Sequence, residues 1–150
     1  MTTIFQRAAK APLYPRCHRR SKWKVGQCIG MEFVFTANHN GHHITYTCPD
    51  FDDPTQAYFD QYHLEFVEDL SVEACGTDYN APKDEHFPSR AHVNPAASKT
   101  KLRFKLPEGL HGYPDNDYLM LLQWHWVTGN ICRSEGYDDY DFPAGGMMSR

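Results

Sequence analysis

A chain of 150 residues is long enough for one domain with its own core and short for two. Aromatic residues make up 14% of it, glycine and proline contribute ten each, and mean hydropathy is −0.65. This composition favours a β-rich, loop-heavy domain over a helical bundle, and no apolar run approaches the roughly eighteen residues of a membrane-spanning helix.

The net charge of −4 conceals an asymmetry. Up to Lys24 there are seven basic residues (Arg7, Lys10, Arg16, Arg19, Arg20, Lys22, Lys24) and no acid, whereas eight basic face nineteen acidic residues in the remainder. An acidic body argues against nucleic-acid binding as the main role, because phosphate contacts need positive charge. Residues 1–24 show no strand or helix periodicity and read as an irregular, solvated basic extension; an RNA-binding arm or an organellar transit peptide is the weaker alternative. No apolar segment of a secretory signal is visible near Met1.

Taken in order, residues 28–36 alternate, with Ile29, Met31, Phe33 and Phe35 on one side and Glu32 and Thr36 on the other, which predicts a strand. Asn38-His39-Asn40-Gly41 supplies turn chemistry, and His43–Cys48 alternates again, so the pair is expected to form a β-hairpin with a histidine-rich tip. After an acidic loop over 49–54, residues 55–67 suit a short helix capped by Thr55 or a strand near His63–Val67. The span from Leu70 to Lys99 carries Gly76, Pro82, Pro88 and Pro95 with little periodicity and is expected to be a long irregular excursion. Leu102–Leu106 predicts a strand with one solvated face. Tyr118–Thr128 is apolar on both faces and predicts a central strand. The tail beyond Cys132 is polar and aromatic, with Tyr137, Tyr140 and Phe142 suited either to packing or to stacking on sugar rings.

Two stretches together resemble one family. The first is Gly26–Cys48, with Phe35-Thr36-Ala37-Asn38-His39-Asn40-Gly41 at its centre. The second is Leu121-Leu122-Gln123-Trp124-His125-Trp126-Val127-Thr128-Gly129-Asn130-Ile131-Cys132, followed by Gly136–Pro143. In this order and spacing they resemble the chitin-binding type-4 domain, the catalytic module of lytic polysaccharide monooxygenases. The resemblance covers roughly residues 25–143 and is weak in the middle third. It implies an all-β fold, an immunoglobulin- or fibronectin-III-like antiparallel β-sandwich with long loops, occupying residues 25–150 behind the basic extension of residues 1–24. It also implies a copper held by a histidine brace: a mature N-terminal histidine gives its amine and ring nitrogen, and the histidine of the Ala-Asn-His turn gives another ring nitrogen. That second position is His39, the candidate metal ligand. The implied partner is a polysaccharide, chitin or a cellulose-like glycan, met outside the cell by a monomer.

The sequence departs from the family pattern. It opens Met1-Thr2-Thr3 rather than with histidine, His18 follows no recognisable processing site, and the family's last strand with its axial aromatic would lie beyond Pro143. The expectation is an incomplete sandwich, truncated at both ends, with no catalytic residue assigned and His39 a copper ligand by ancestry. The five cysteines (Cys17, Cys28, Cys48, Cys75, Cys132) form no CxxC pair, and their odd number leaves at least one thiol without a partner in the chain. Disulfides are expected in a fold of this kind, Cys48–Cys75 being one pairing across the acidic loop that spacing alone does not fix. His42 or His43 could join His39 in a makeshift copper or zinc site, although neighbouring strand residues point to opposite faces. His125, Trp124 and Trp126 read as core residues first, and as ligand or sugar platform second. Two functional classes remain: a copper-dependent monooxygenase acting on a β-1,4-glycan, and a non-catalytic carbohydrate-binding domain of the same fold. Copper handling without a polysaccharide is a poorer third.

Overall fold

The computed structural model describes residues 3–5, 23–50, 53–110 and 120–129. Among these residues seven strands form two antiparallel sheets: β1 (Thr3–Phe5), β2 (Cys28–Val34), β3 (His42–Cys48), β4 (Glu65–Asp69), β5 (Arg90–His92), β6 (Lys99–Lys105) and β7 (Leu121–Val127). One sheet has the order β1-β7-β3-β5 and the other β2-β6-β4, giving the expected immunoglobulin-like sandwich. Two short helices, α1 (Gln56–Phe59) and α2 (Ser71–Cys75), lie in the connections.

Between the sheets Ile29, Leu64, Phe66, Ala91, Leu102, Phe104 and Leu106 form one buried cluster, with Met31, Phe33 and Leu122 packed against it. Phe66 and Phe104, paired across β4 and β6, put their ring centroids 5.8 Å apart. Strand parity decides who enters this layer. On β3, Thr45 reaches across to Met31 and His43 stacks on Phe33, so His43, Thr45 and Thr47 face inward while His42, Ile44, Tyr46 and Cys48 face outward. The outward face is not bare: Tyr46, Cys48, Phe59 and Leu121 make a second apolar cluster under α1. There Gln56 and Gln123 exchange amide hydrogen bonds of 3.2 and 3.0 Å, which accounts for a buried glutamine in the longest apolar run.

Several expectations change. The hairpin of 28–36 with 43–48 does not form: β2 pairs with β6, while β3 pairs with β7 and β5 in the other sheet. Alternation tells which side of a strand is apolar but neither which strand lies beside it nor which way that side faces: the apolar side of β3 (Ile44, Tyr46, Cys48) turns outward under α1, while His43 and Thr45 meet β2 across the core. The basic extension, expected to be irregular, contributes β1, which pairs with β7 through Thr3↔His125, Ile4↔Trp124 and Phe5↔Gln123. Residues 55–67 use both alternatives, α1 with Thr55 at its cap position and then β4. The excursion from Leu70 to Lys99 contains α2 and β5 and is held by buried side chains rather than by periodic packing. Asp69 accepts from the backbone of Ser71 (2.9 Å) and of Ala81 (2.8 Å), and Asp84 accepts from His86 (3.0 Å) and Phe87 (2.7 Å). Cys28, Cys48 and Cys75 are free thiols, so Cys48 and Cys75 do not pair. Cys48 sits in the outer cluster of the four-stranded sheet, whereas Cys75 ends the helix that packs on β6 of the other. Cys17, His18, Cys132, Tyr137, Tyr140 and Phe142 lie outside the described residues.

Replacing Phe104 by alanine empties the centre of the inter-sheet cluster and is expected to cost about 3–5 kcal/mol, read as a lowered denaturation midpoint with an unchanged slope.

Candidate functional site

The chain leaves β2 at Val34 and crosses to β3 through Phe35–Gly41, and the corner of that crossing is His39. Asn40 (φ 53°) and Gly41 (φ 85°) both take left-handed backbone, the conformation that asparagine and glycine adopt at least cost. At Gly41 no other residue fits: a Cβ there would stand 1.8 Å from the Val127 carbonyl oxygen.

Every neighbour of His39 is tied down. The Asn38 carboxamide accepts from the Asn40 N–H (2.8 Å) and donates to the carbonyls of Asn94 (2.9 Å) and Ala97 (2.7 Å). The His39 carbonyl accepts from Gly129 (2.9 Å), the Gly41 carbonyl accepts from Val93 (2.9 Å), and the Asn40 carbonyl accepts from the Trp126 indole (2.8 Å). Asn94 extends the network by donating to the Tyr79 carbonyl (3.2 Å) and the Asp78 carboxylate (3.3 Å). Two separate parts of the chain (93–97 and 126–129) therefore converge on a four-residue turn, and residues 78–79 brace the first of them. The half-buried His39 ring rests against Trp126, with centroids 5.8 Å apart. The backbone that carries the ring is thereby fixed, which is what preorganised ligation requires of its scaffold.

Behind it lies an aromatic layer. His43 is fully buried between Phe33 (4.6 Å, stacked) and Phe35 (5.7 Å, stacked), and Trp124 and Trp126 flank it. The Trp124 indole donates to His43 Nδ1 at 2.9 Å. Because an indole N–H only donates, Nδ1 is the acceptor and the proton of neutral His43 sits on Nε2. That buried Nε2 has no partner among the described residues. Burial, reinforced by the nearby His42, pushes the His43 pKa from the usual 6.5 down to about 3.

His42 points the other way, onto the outer face, near His92 with ring centroids 6.0 Å apart. Its pKa is likewise lowered to about 3, by burial first and then by Arg90, His92 and His125. His92 Nε2 bonds the buried Asp84 carboxylate at 3.1 Å; burial lowers its pKa and the carboxylate opposes that shift. Since a carboxylate only accepts, Nε2 carries the proton.

The makeshift metal site from the histidine-rich tip is thus not assembled. His43 is held by Trp124, His42 is on the opposite face of its strand, and among the described residues no set of three His, Cys, Asp or Glu side chains is placed to hold a metal ion. Trp124 and Trp126, expected first as core residues, are half-buried on the inward side of β7, where their indoles hydrogen-bond to His43 and to the Asn40 carbonyl. His125, expected in the core, is half-buried on the outer face opposite Ile44. The roles of Asn94, Asp84 and His92 were not foreseen; the short alternation Arg90–Val93 was the available signal, and it is too brief to separate from loop.

No protein-family model matches this chain, and no curated protein matches it. Among solved structures it is similar to the lytic polysaccharide monooxygenase AA15 from Thermobia domestica in the Cu(I) state, at 25% identity and a TM-score of 0.50. The match takes in 71% of this chain and 46% of that one. This is a chain with a lytic polysaccharide monooxygenase-like fold. It spans about half the length of the structure it matches.

Two outcomes test this reading of the site. Gly41→Ala combines a left-handed φ with a backbone clash and is expected to destabilise the domain by roughly 3 kcal/mol or more, seen as a fall in urea midpoint. A lowered folded-state pKa means that neutral His43 stabilises the fold in full above the unfolded value of 6.5, and that this stability drains away as pH falls from 6.5 toward 3. Chemical denaturation at a series of pH values should show that decline, and His43→Phe should reduce it, leaving the share that belongs to His42 and His92.

Proposed function

We propose that this domain acts as a lytic polysaccharide monooxygenase-like module directed at chitin or a related β-1,4-glycan outside the cell, with His39 contributing one imidazole to a copper site. The observation that carries the proposal is the mounting of His39: a strand-end turn stapled by backbone and asparagine hydrogen bonds, within a chain of matching fold. Imidazole nitrogen suits copper. One imidazole is short of a copper site, however, and the described residues do not complete the donor set. What they do is hold the ring: Trp126 backs it, Asn38 fixes the turn, and Gly41 lets the backbone close on Val127. Bound at a completed site, copper would supply oxidative chemistry.

The second reading is a non-catalytic carbohydrate-binding domain of the same fold. Calorimetric copper titration of the full chain separates the two. Copper binding that is lost in His39→Ala, with oxidised oligosaccharides released from chitin under reductant, is the expected result. Retention on chitin with no copper uptake would overturn the monooxygenase reading in favour of the binding domain.

A further inference from the structure

The three-stranded sheet ends on β2, and the backbone parity of that strand is fixed by its flanks. Phe35 donates to Ser98 and Leu106 donates to Gln27, so the odd-numbered residues of β2 exchange hydrogen bonds with β6. The even-numbered ones, Cys28, Gly30, Glu32 and Val34, therefore turn their N–H and C=O groups to the opposite edge, where nothing among the described residues pairs with them. Across its seven residues this edge has no proline, lysine or bulge, and its one charged side chain is Glu32, ion-paired with Lys99 of β6 (2.8 Å). Val34 is 72% exposed on it, and Met31 and Phe33 of the inward row are only partly covered.

We infer that the β2 edge is the interface of a homodimer, in which β2 of two copies pair antiparallel about a two-fold axis at Met31 and join the two three-stranded sheets into one. This replaces the monomer expected from sequence and is independent of the monooxygenase reading. Charge narrows the register. A register with Glu32 facing Glu32 of the partner is opposed by like-charge repulsion. With Met31 on the axis, Gly30 faces Glu32 of the partner and Cys28 faces Val34 of the partner; both are pairs of even residues, so their outward backbone groups meet. Gly30 leaves room, since a Cβ there would meet nothing within 4 Å. Each Glu32 then lies in a row between Lys101 of its own β6 and, beyond the partner's Gly30, Arg103 of the partner's β6. On the inward side Ile29 faces Phe33 of the partner and Met31 faces its own copy, which covers the partly exposed apolar row. The surface is self-complementary in hydrogen bonding, in charge and in apolar contact, as an isologous interface must be.

Sedimentation equilibrium of the full chain tests this through one position. Wild type is expected to be a concentration-dependent dimer. Gly30→Glu sets a carboxylate against Glu32 of the partner and should leave a monomer, whereas Gly30→Lys should keep or tighten the dimer. Within one chain position 30 lies opposite Arg103, which favours the glutamate, and two residues from Glu32 on the same face, which favours the lysine, so the fold itself discriminates little between the two variants. Loss of the dimer in Gly30→Glu with its melting temperature maintained therefore cannot come from misfolding. A wild-type chain that stays monomeric at the highest soluble concentration would overturn the proposal and leave the edge to another partner or a further segment. A dimer indifferent to the sign of charge at position 30 would overturn it as well.

Discussion

The approach of the Gly41 backbone to the Val127 carbonyl is the constraint on which the His39 corner depends. Only a residue without Cβ lets β3 start directly against the end of β7, and only that contact brings Gly129 to the His39 carbonyl and the Trp126 indole to Asn40. Had the chain a side chain at 41, the turn would lift off β7 and the Asn38 bridge to Asn94 and Ala97 would lose its footing. The site is thus built from backbone closeness first and side-chain chemistry second. Such a layout tolerates change in the loops around it and little change at its own corner.

The second organising fact is a division of labour among histidines. His43 is an internal hydrogen-bond acceptor, neutral and sandwiched by phenylalanines. His92 is the donor half of a buried couple with Asp84 that closes the 84–92 loop. His42 lies on the outer face, and His39 stands at the corner against Trp126. Adjacent positions on a strand face opposite ways, so a cluster of histidines in the sequence becomes three unrelated environments in space. Burial keeps the inner ones neutral, and a neutral imidazole can accept from an indole where a charged one could not.

The two sheets differ in what they show to solvent. The four-stranded sheet buries its outer face under α1 and the Gln56–Gln123 pair. The three-stranded sheet keeps a charged outer face, where β6 presents Lys99, Arg103 and Lys105 to Glu32, Glu68 and Glu108. Exposed pairs of this kind contribute little stability each.

The all-β class, the alternation of β2, β3, β6 and β7, and the turn at Asn38–Gly41 were legible in the sequence, because alternation and turn chemistry are local properties of neighbouring residues; that the apolar row of β3 turns outward under α1 was not. The resemblance that singled out His39 also rested on local runs, and the fold it implied is the fold found. Pairing was not legible. That β2 lies beside β6 rather than β3 depends on which apolar faces meet across the core, and alternation is blind to it. Nor could sequence place Asn94 under Asn38, or Asp84 beside His92, because those contacts join segments whose only bond to each other is tertiary. The fate of His39 follows the same line: residue type and turn made it a candidate, while its rigid mounting comes from Trp126, Gly129 and Asn94, more than fifty residues away in the chain and neighbours only once the two sheets have closed.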